Sequence, residues 1–155
     1  MTPAITGWPA RLRACRGVLV DSNVLLDIAT DDPSLGSWSG RALAEASEHT
    51  TLIINPIDYA EVSIGFTTIE ALDAALPAAL ERREPLPWEA GFLAGKCCLL
   101  YRRRGGLRNS PLPDFYIGAH AAIAHLALLT RDAACYRSYS PELDILAPAS
   151  STSQW

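Results

Sequence analysis

Lysine is almost missing from this chain of 155 residues: Lys96 stands alone, and every other basic side chain apart from three histidines is arginine. Arginine grips phosphate with two prongs where lysine offers a point charge, although genome composition explains an arginine bias more readily. With 17 acidic against 13 basic residues and a net charge of −4, the chain as a whole does not advertise a polyanionic partner, so any such contact must be local. Cysteine is scarce too. Cys15, Cys97, Cys98 and Cys135 form no C-x-x-C pair, which excludes the usual structural zinc and redox motifs; reduced packing residues of a cytoplasmic protein are expected. No apolar run reaches membrane-spanning length, because the longest, from Phe115 to Leu129, is interrupted by His120 and His125. Residues 1–16 hold two prolines and three arginines and no apolar stretch of the signal-peptide kind. Neither secretion nor membrane insertion is expected.

What is present reads as one domain of strands alternating with helices. Gly17-Val18-Leu19-Val20 is a short β-branched run that passes through Asp21-Ser22-Asn23 into a helix-like segment, Val24 to Ile28. Asp32-Pro33 has the form of a cap followed by proline at the first helical position, predicting a helix to about His49. Leu52-Ile53-Ile54 repeats the strand, and Asn55-Pro56 repeats the cap before a helix from Ile57 to about Gly65. Thr67 and Glu70 have capping-box spacing ahead of the stripe Ile69, Leu72, Leu76 and Leu80. A helix follows from Trp88 to Tyr101, then a basic loop carrying Arg102, Arg103, Arg104 and Arg108. Pro113-Asp114 opens a helix apolar nearly all round, which should be central; Leu126 to Leu129 is a third strand and Leu143 to Leu146 an edge strand. The expectation is an α/β fold with a mainly parallel sheet. It comprises an extension over residues 1–16, a domain over 17–148 and a flexible tail over 149–155.

Four acids stand out by position. Asp21 and Asp132 follow strands, Asp114 opens a helix, and Glu61 lies among Ile57, Ala60 and Ile64, where an ionised side chain in an apolar stripe needs a cation or a hydrogen-bond network. In open parallel sheets, ligands gather at the carboxyl ends of the strands. Two carboxylates about 4 Å apart repel by roughly 4 kcal/mol at an effective dielectric near 20, so a cluster of this kind calls for a divalent ion. Oxygen-only donors favour Mg²⁺ or Mn²⁺ over zinc. Each acid also has an ordinary reading. Asp21 could form a turn, Asp114 and Asp132 could cap helices, and Glu61 could reach solvent from the edge of its stripe. Asp27 is an outside candidate, whereas Asp31, Asp32 and Asp58 read as capping or helix-face residues. His120 and His125, five apart, lack the spacing of a helical zinc pair and read as packing residues.

The ordered set Val18-Leu19-Val20-Asp21-Ser22-Asn23, Asn55-Pro56-Ile57-Asp58-Tyr59-Ala60-Glu61, Pro113-Asp114-Phe115-Tyr116-Ile117-Gly118-Ala119-His120-Ala121 and Leu129-Thr130-Arg131-Asp132 resembles PIN-domain ribonucleases, and within them the VapC-like toxins of bacterial type II toxin–antitoxin modules. The likeness extends over residues 17–148. It implies a three-layer αβα sandwich, Mg²⁺- or Mn²⁺-dependent endonuclease action on RNA, a small antitoxin partner and a homodimer. Carried over position by position, the acidic quartet falls on Asp21, Glu61, Asp114 and Asp132, with Asn23 and Thr130 as supporting polar groups. Cys135-Tyr136 followed by Ser140-Pro141 departs from the arginine and phenylalanine that relatives often have there, a difference expected to concern packing more than chemistry. Two rivals stand beside this reading: a catalytically silent module whose acids grip antitoxin arginines, and a phosphatase with an aspartate nucleophile, disfavoured because Asn23 holds the place of its second aspartate.

Overall fold

The computed structural model describes residues 7–34, 36–80, 82–107 and 112–148. The expected C-terminal tail and Arg108 of the basic loop lie outside the described residues. In chain order the elements are α1 (Trp8–Ala14), β1 (Val18–Val20), α2 (Ser22–Ala29), α3 (Gly36–His49), β2 (Leu52–Ile54), α4 (Pro56–Ser63), α5 (Ile69–Ala75), β3 (Arg82–Arg83), α6 (Trp88–Arg103), α7 (Pro113–Ile123), β4 (Ala127–Leu129), α8 (Ala133–Tyr139) and β5 (Ile145–Leu146).

The five strands form one sheet in the order β3-β2-β1-β4-β5, with every pairing parallel. β1 sits at its centre, Val18 opposite Leu52 on one side and Ala127 on the other. The chain leaves β1 toward β2 and later returns to add β4 on the other flank, so the topological switch lies between β1 and β4, where open sheets place their ligands.

Alternation along each strand builds two cores. Val18, Val20, Leu52, Ile54 and Leu129 face one layer with Trp8 and Leu12 of α1, Val24 and Leu25 of α2 and Trp38 and Leu43 of α3. Leu19, Ile53 and Leu128 face the other with Ile117 and Ala121 of α7 and Tyr136 of α8. On the outside of that second layer, Ala90, Ala94, Cys97 and Cys98 of α6 pack on Phe115 and Ala119. The expected three-layer αβα sandwich is present.

Several boundaries differ from the pattern reading. Helix α3 starts at Gly36 rather than at Pro33, because Asp32 is used in a turn, its Oδ1 accepting from Ser34 N at 2.9 Å and Ser34 Oγ at 2.7 Å. Thr68, not Thr67, caps α5, accepting from Ala71 N at 3.1 Å. That helix ends at Ala75, with Leu76 and Leu80 reaching the core from the following segment. The arginines after Tyr101 do not begin as a loop: Arg102 and Arg103 complete the last turn of α6. Before β1, helix α1 buries Trp8 and Leu12 in the main core.

Candidate metal centre and its comparisons

Each acid arrives at the site on a short element whose local chemistry fixes it. Asp21 follows β1 directly and stands at the N-cap position of α2, yet its side chain makes no capping bond. Its Oδ2 instead accepts from Thr130 Oγ1 at 2.8 Å and from Tyr136 Oη at 2.8 Å. Thr130 directly follows β4, one strand over, and is itself held by Asn23, whose Nδ2 donates to Thr130 Oγ1 at 3.2 Å while Asn23 Oδ1 accepts from Arg131 N at 3.3 Å. Asn23 and Thr130 thus stitch the ends of β1 and β4 together around Asp21, which is only 2% exposed.

Helix α4 brings two more acids. Asn55 and Asp58 form a reciprocal capping box: Asp58 N donates to Asn55 Oδ1 at 2.9 Å and Asn55 N to Asp58 Oδ2 at 3.4 Å. Asp58 is fully buried, and its Oδ1 has no hydrogen-bond partner. One turn on, Glu61 accepts from Ser22 Oγ at 2.9 Å. Ligand oxygens of Asp21, Asp58 and Glu61 lie within 4.8 Å of one another. The apolar stripe expected around Glu61 is not there, since Ile64 is 87% exposed and Ala60 meets solvent. The buried face of α4 runs through Asp58 and Val62, and Glu61 is half-buried at its edge.

Asp114 does not cap α7, whose N-cap is Leu112; it stands in the first turn after Pro113. Its Oδ1 is 3.3 Å from Tyr136 Oη and its Oδ2 accepts from Cys135 Sγ at 3.4 Å. A single phenol therefore touches both Asp21 and Asp114. Asp132 does serve as the cap of α8, accepting from Cys135 N at 3.3 Å, and it is exposed at the rim beside Thr130, whose Oγ1 receives Asp132 N at 3.1 Å.

Among the described residues, the acids of the site crowd one another electrostatically. Burial pushes Asp21 above its ordinary range against the opposing hydrogen bonds of Tyr136 and Thr130, and Asp114 adds repulsion. Burial and then the Asp21 charge push Asp58 well above it. Glu61 is raised by burial and by Asp21 and Asp114, despite Ser22. Burial and the Asp114 charge take the Cys135 thiol up to about 12, and burial with the Asp21 charge drives the Tyr136 phenol upward as well, so both keep their protons as donors.

Asp58, Tyr136, Ser22 and Cys135 were not assigned to the site from sequence. For Asp58 the signal was the Asn55-x-x-Asp58 spacing, which turns its carboxylate inward. For Tyr136 it was a hydroxyl in the last helix; that hydroxyl donates into the site, so its part in the chemistry is larger than expected. Asp27 lies elsewhere: buried, it pairs with Arg131 Nη1 at 2.9 Å and Ser39 Oγ at 2.8 Å. His120 is likewise structural. Burial keeps it neutral, its Nδ1 accepts from Asn55 Nδ2 at 3.0 Å, and its Nε2 faces Glu84 at 3.5 Å without a hydrogen bond. A group of Glu45, Glu48 and His49 on α3 is a solvent-side i, i+4 pairing.

Beside the site, Tyr101 near the end of α6 packs on Phe115, the neighbour of Asp114, with ring centroids 5.7 Å apart. Arg104 Nη1 donates to Ser138 O of α8 at 2.9 Å. The basic end of α6 thus adjoins the helices that carry Asp114 and Asp132.

Among solved structures, VapBC2 from Rickettsia felis, bound to a DNA fragment from its promoter, superposes with a TM-score of 0.64 at 18% identity, covering 85% of this chain and 98% of that one. VapBC-1 from nontypeable Haemophilus influenzae gives 0.60 at 19%, covering 84% and 96%. FitAcB from Neisseria gonorrhoeae gives 0.60 at 17%, covering 84% and 97%. At such identities the likeness is one of fold. No curated protein matches the sequence significantly. The PIN domain family model matches residues 18–139, a span that holds β1 through α8 and every acid of the centre, and the chain belongs to the PIN domain family.

Proposed function

We propose that this chain is a divalent-metal-dependent endoribonuclease acting as the toxin of a toxin–antitoxin pair in the cytoplasm. The observation that carries the reading is the convergence of Asp21, Asp58 and Glu61 within 4.8 Å, with Asp114 tied to Asp21 through Tyr136. Their donor set is oxygen only, the choice of Mg²⁺ and Mn²⁺. The residues fit such an ion, because three raised acids and the unpartnered Asp58 Oδ1 leave negative charge that no basic side chain among the described residues answers.

Asp21, Glu61 and Asp114 would hold the ion, with Asp58 behind them and Asp132 contributing from the rim. When bound, the ion supplies polarisation of a phosphodiester and a water of lowered pKa. The chain's own groups do the rest. Thr130 and Tyr136 orient Asp21, Ser22 orients Glu61, and Asn23 keeps Thr130 in place. The arginines at the end of α6 draw a polyanion toward an acidic pocket that would otherwise repel it. RNA as the substrate and an antitoxin as the partner rest on the family resemblance and on like-folded VapBC assemblies.

The test is cleavage of RNA by purified protein with Mg²⁺, Mn²⁺ or EDTA. Asp21→Asn and Asp114→Asn should each lose at least about a hundredfold in rate, roughly 2.7 kcal/mol of barrier lowering, with folding intact. Full activity in either variant, or cleavage in EDTA, overturns the reading. No cleavage under any metal together with tight antitoxin binding selects the silent module instead.

A further inference from the structure

Of the buried residues of α7, only His120 has a polar side chain. It is 0% exposed and touches none of the acids of the centre. An apolar residue would fill that place at less cost, so the imidazole calls for a use. Its contacts point to one. Asn55, itself buried, accepts Asp58 N at its Oδ1, which fixes its amide and turns Nδ2 toward His120 Nδ1 at 3.0 Å. Nδ1 is therefore the acceptor, and the neutral ring carries its proton on Nε2. That N–H makes no hydrogen bond, although Glu84 Oε2 stands 3.5 Å away, held in place by the fork of Arg16. A polar chain thus runs from Glu84, beside the edge strand β3, through His120 and Asn55 to Asp58.

We propose that His120 is a positioning residue of the acidic centre, a neutral acceptor that locks Asn55 as the cap of α4 and whose protonation releases that cap and the acids it places, Asp58 and Glu61. The cause is a conflict of donors. With a proton on each nitrogen the ring offers no acceptor, so Nδ1–H and the Asn55 Nδ2 amide face each other as donors. Turning the Asn55 amide over answers the ring with Oδ1 but takes the acceptor away from Asp58 N. One of the two contacts has to break, and either loss leaves a buried donor unanswered. The new charge also draws Nε2–H toward Glu84. Among the described residues the groups facing the ring are Asn55, Glu84 and, beyond it, Arg16. Burial favours the neutral ring most, Glu84 favours the charged one and Arg16 opposes it, so the release falls on the acid side of the ordinary histidine value, about 6.5.

Helix α4 carries Asp58 in its first turn and Glu61 one turn on, and these two with Asp21 make the cluster within 4.8 Å. A helix that loses its cap frays at that turn, and the clustered oxygens spread. Groups that orient ligands from behind in this way typically alter metal affinity by about 10- to 100-fold. The inference rests on the metal reading for its effect on affinity alone; the cap is observable without an ion.

Two measurements on each protein, from about pH 8 to 4.5, test it: Mn²⁺ binding by calorimetry, and the protection of the Asp58 amide against hydrogen exchange, metal-free. His120→Leu keeps bulk and removes the acceptor. His120→Asn keeps a carbonyl acceptor and cannot take up a proton. At pH 8, His120→Leu should bind Mn²⁺ at least about tenfold more weakly and lose protection at Asp58, while His120→Asn should match wild type. As pH falls, wild type should lose more affinity and more protection than His120→Asn; protonation of the carboxylates themselves is common to both and cancels. Glu84→Gln, which withdraws the charge favouring the imidazolium, should move the wild-type fall to lower pH. Should His120→Leu not fold, the profiles of wild type, His120→Asn and Glu84→Gln decide. Parallel profiles of wild type and His120→Asn, an Asp58 amide indifferent to His120→Leu, or a His120→Asn no better than His120→Leu overturns the proposal. A wild-type chain that binds no Mn²⁺ while its Asp58 amide responds as stated overturns the metal reading instead and upholds the coupling of His120 to the cap.

Discussion

Tyr136 Oη stands 2.8 Å from Asp21 Oδ2 and 3.3 Å from Asp114 Oδ1, placing one phenolic proton between two carboxylates on different elements. The shorter contact makes Asp21 the acceptor, and Asp114 keeps the Cys135 thiol at 3.4 Å. Tyr136→Phe preserves the ring in the core and removes the donor. A hydrogen bond to a charged group contributes about 1.5–3 kcal/mol, and each kcal/mol moves the melting temperature by about 2–4 °C in a chain of this size. The metal-free variant should therefore melt several degrees below wild type. Saturating Mn²⁺ should narrow the gap, because a cation takes over the compensation of Asp21. Scanning calorimetry with and without metal decides it; an equal loss in both conditions would reduce the hydroxyl to a packing role.

Asp58 dictates a pH dependence. Its folded-state pKa is raised well above the ordinary value, chiefly by burial and then by Asp21. An acid raised on folding contributes its full stability below its unfolded pKa, near 4, and loses that contribution as pH rises through the folded value. Asp58→Asn removes this loss. The stability difference between Asp58→Asn and wild type, measured metal-free by urea midpoints, should thus favour the variant increasingly from about pH 4 upward. Taking the difference cancels Asp73 and Glu84, whose pKa values are lowered by arginine partners and which slope the other way. Mg²⁺ should stabilise wild type more than the variant. A difference that is flat with pH would mean that Asp58 titrates alike in the folded and unfolded chain, so that burial does not raise it.

Asp27 separates structure from chemistry. It is 3% exposed and joins α2 to Arg131 and to Ser39 of α3. Breaking a buried pair by removing one partner costs about 3–5 kcal/mol, discounted here because the Arg131 side chain is 35% exposed. Asp27→Ala should cost about 2–3 kcal/mol while leaving RNA cleavage at permissive temperature within about threefold, a change of under 1 kcal/mol in barrier. A cleavage defect as deep as that of Asp21→Asn would move Asp27 into the centre.

How legible the molecule is from its sequence follows from what each residue's environment depends on. Val18-Leu19-Val20 and Leu52-Ile53-Ile54 are buried on both faces, so strand and centrality are written locally, and Asp21 and Thr130 inherit their place from the strand ends. Asp114 and Asp132 are legible as helix-start acids, although only Asp132 uses its carboxylate as a cap. Glu61 was placed beside Asp21 by a stripe that is not buried; what positions it is the Asn55–Asp58 box and the Ser22 hydroxyl. That box is local, but the burial of Asp58 is a tertiary fact. Tyr136 is hidden for the same reason, since a tyrosine after a helix cap looks like packing until the fold brings Asp21 to its hydroxyl from 115 positions away. Helix α1 is hidden because a seven-residue segment with one proline has no periodicity to read.

That first helix makes the last prediction. Trp8 is 5% exposed, set edge-on to Trp38 of α3 with ring centroids 6.3 Å apart, and Leu12 beneath it is 1% exposed. Arg11 pairs with Asp144 and donates to Ile145 O at 2.9 Å on the edge strand β5, while Arg16 makes a two-pronged contact with Glu84 at 2.9 and 3.0 Å. A segment that precedes the matched family span thus closes the core on one layer and ties down an otherwise thin two-residue strand. Truncating a buried tryptophan to alanine costs about 3–5 kcal/mol, a large share of the about 5–15 kcal/mol by which domains are stable. Trp8→Ala should lower the melting temperature by roughly 6–20 °C on the scale of about 2–4 °C per kcal/mol. A chain beginning at Gly17 should fall further and expose β5 to hydrogen exchange first. Should that shortened chain melt with the full-length protein, α1 would be an ornament on a domain complete without it.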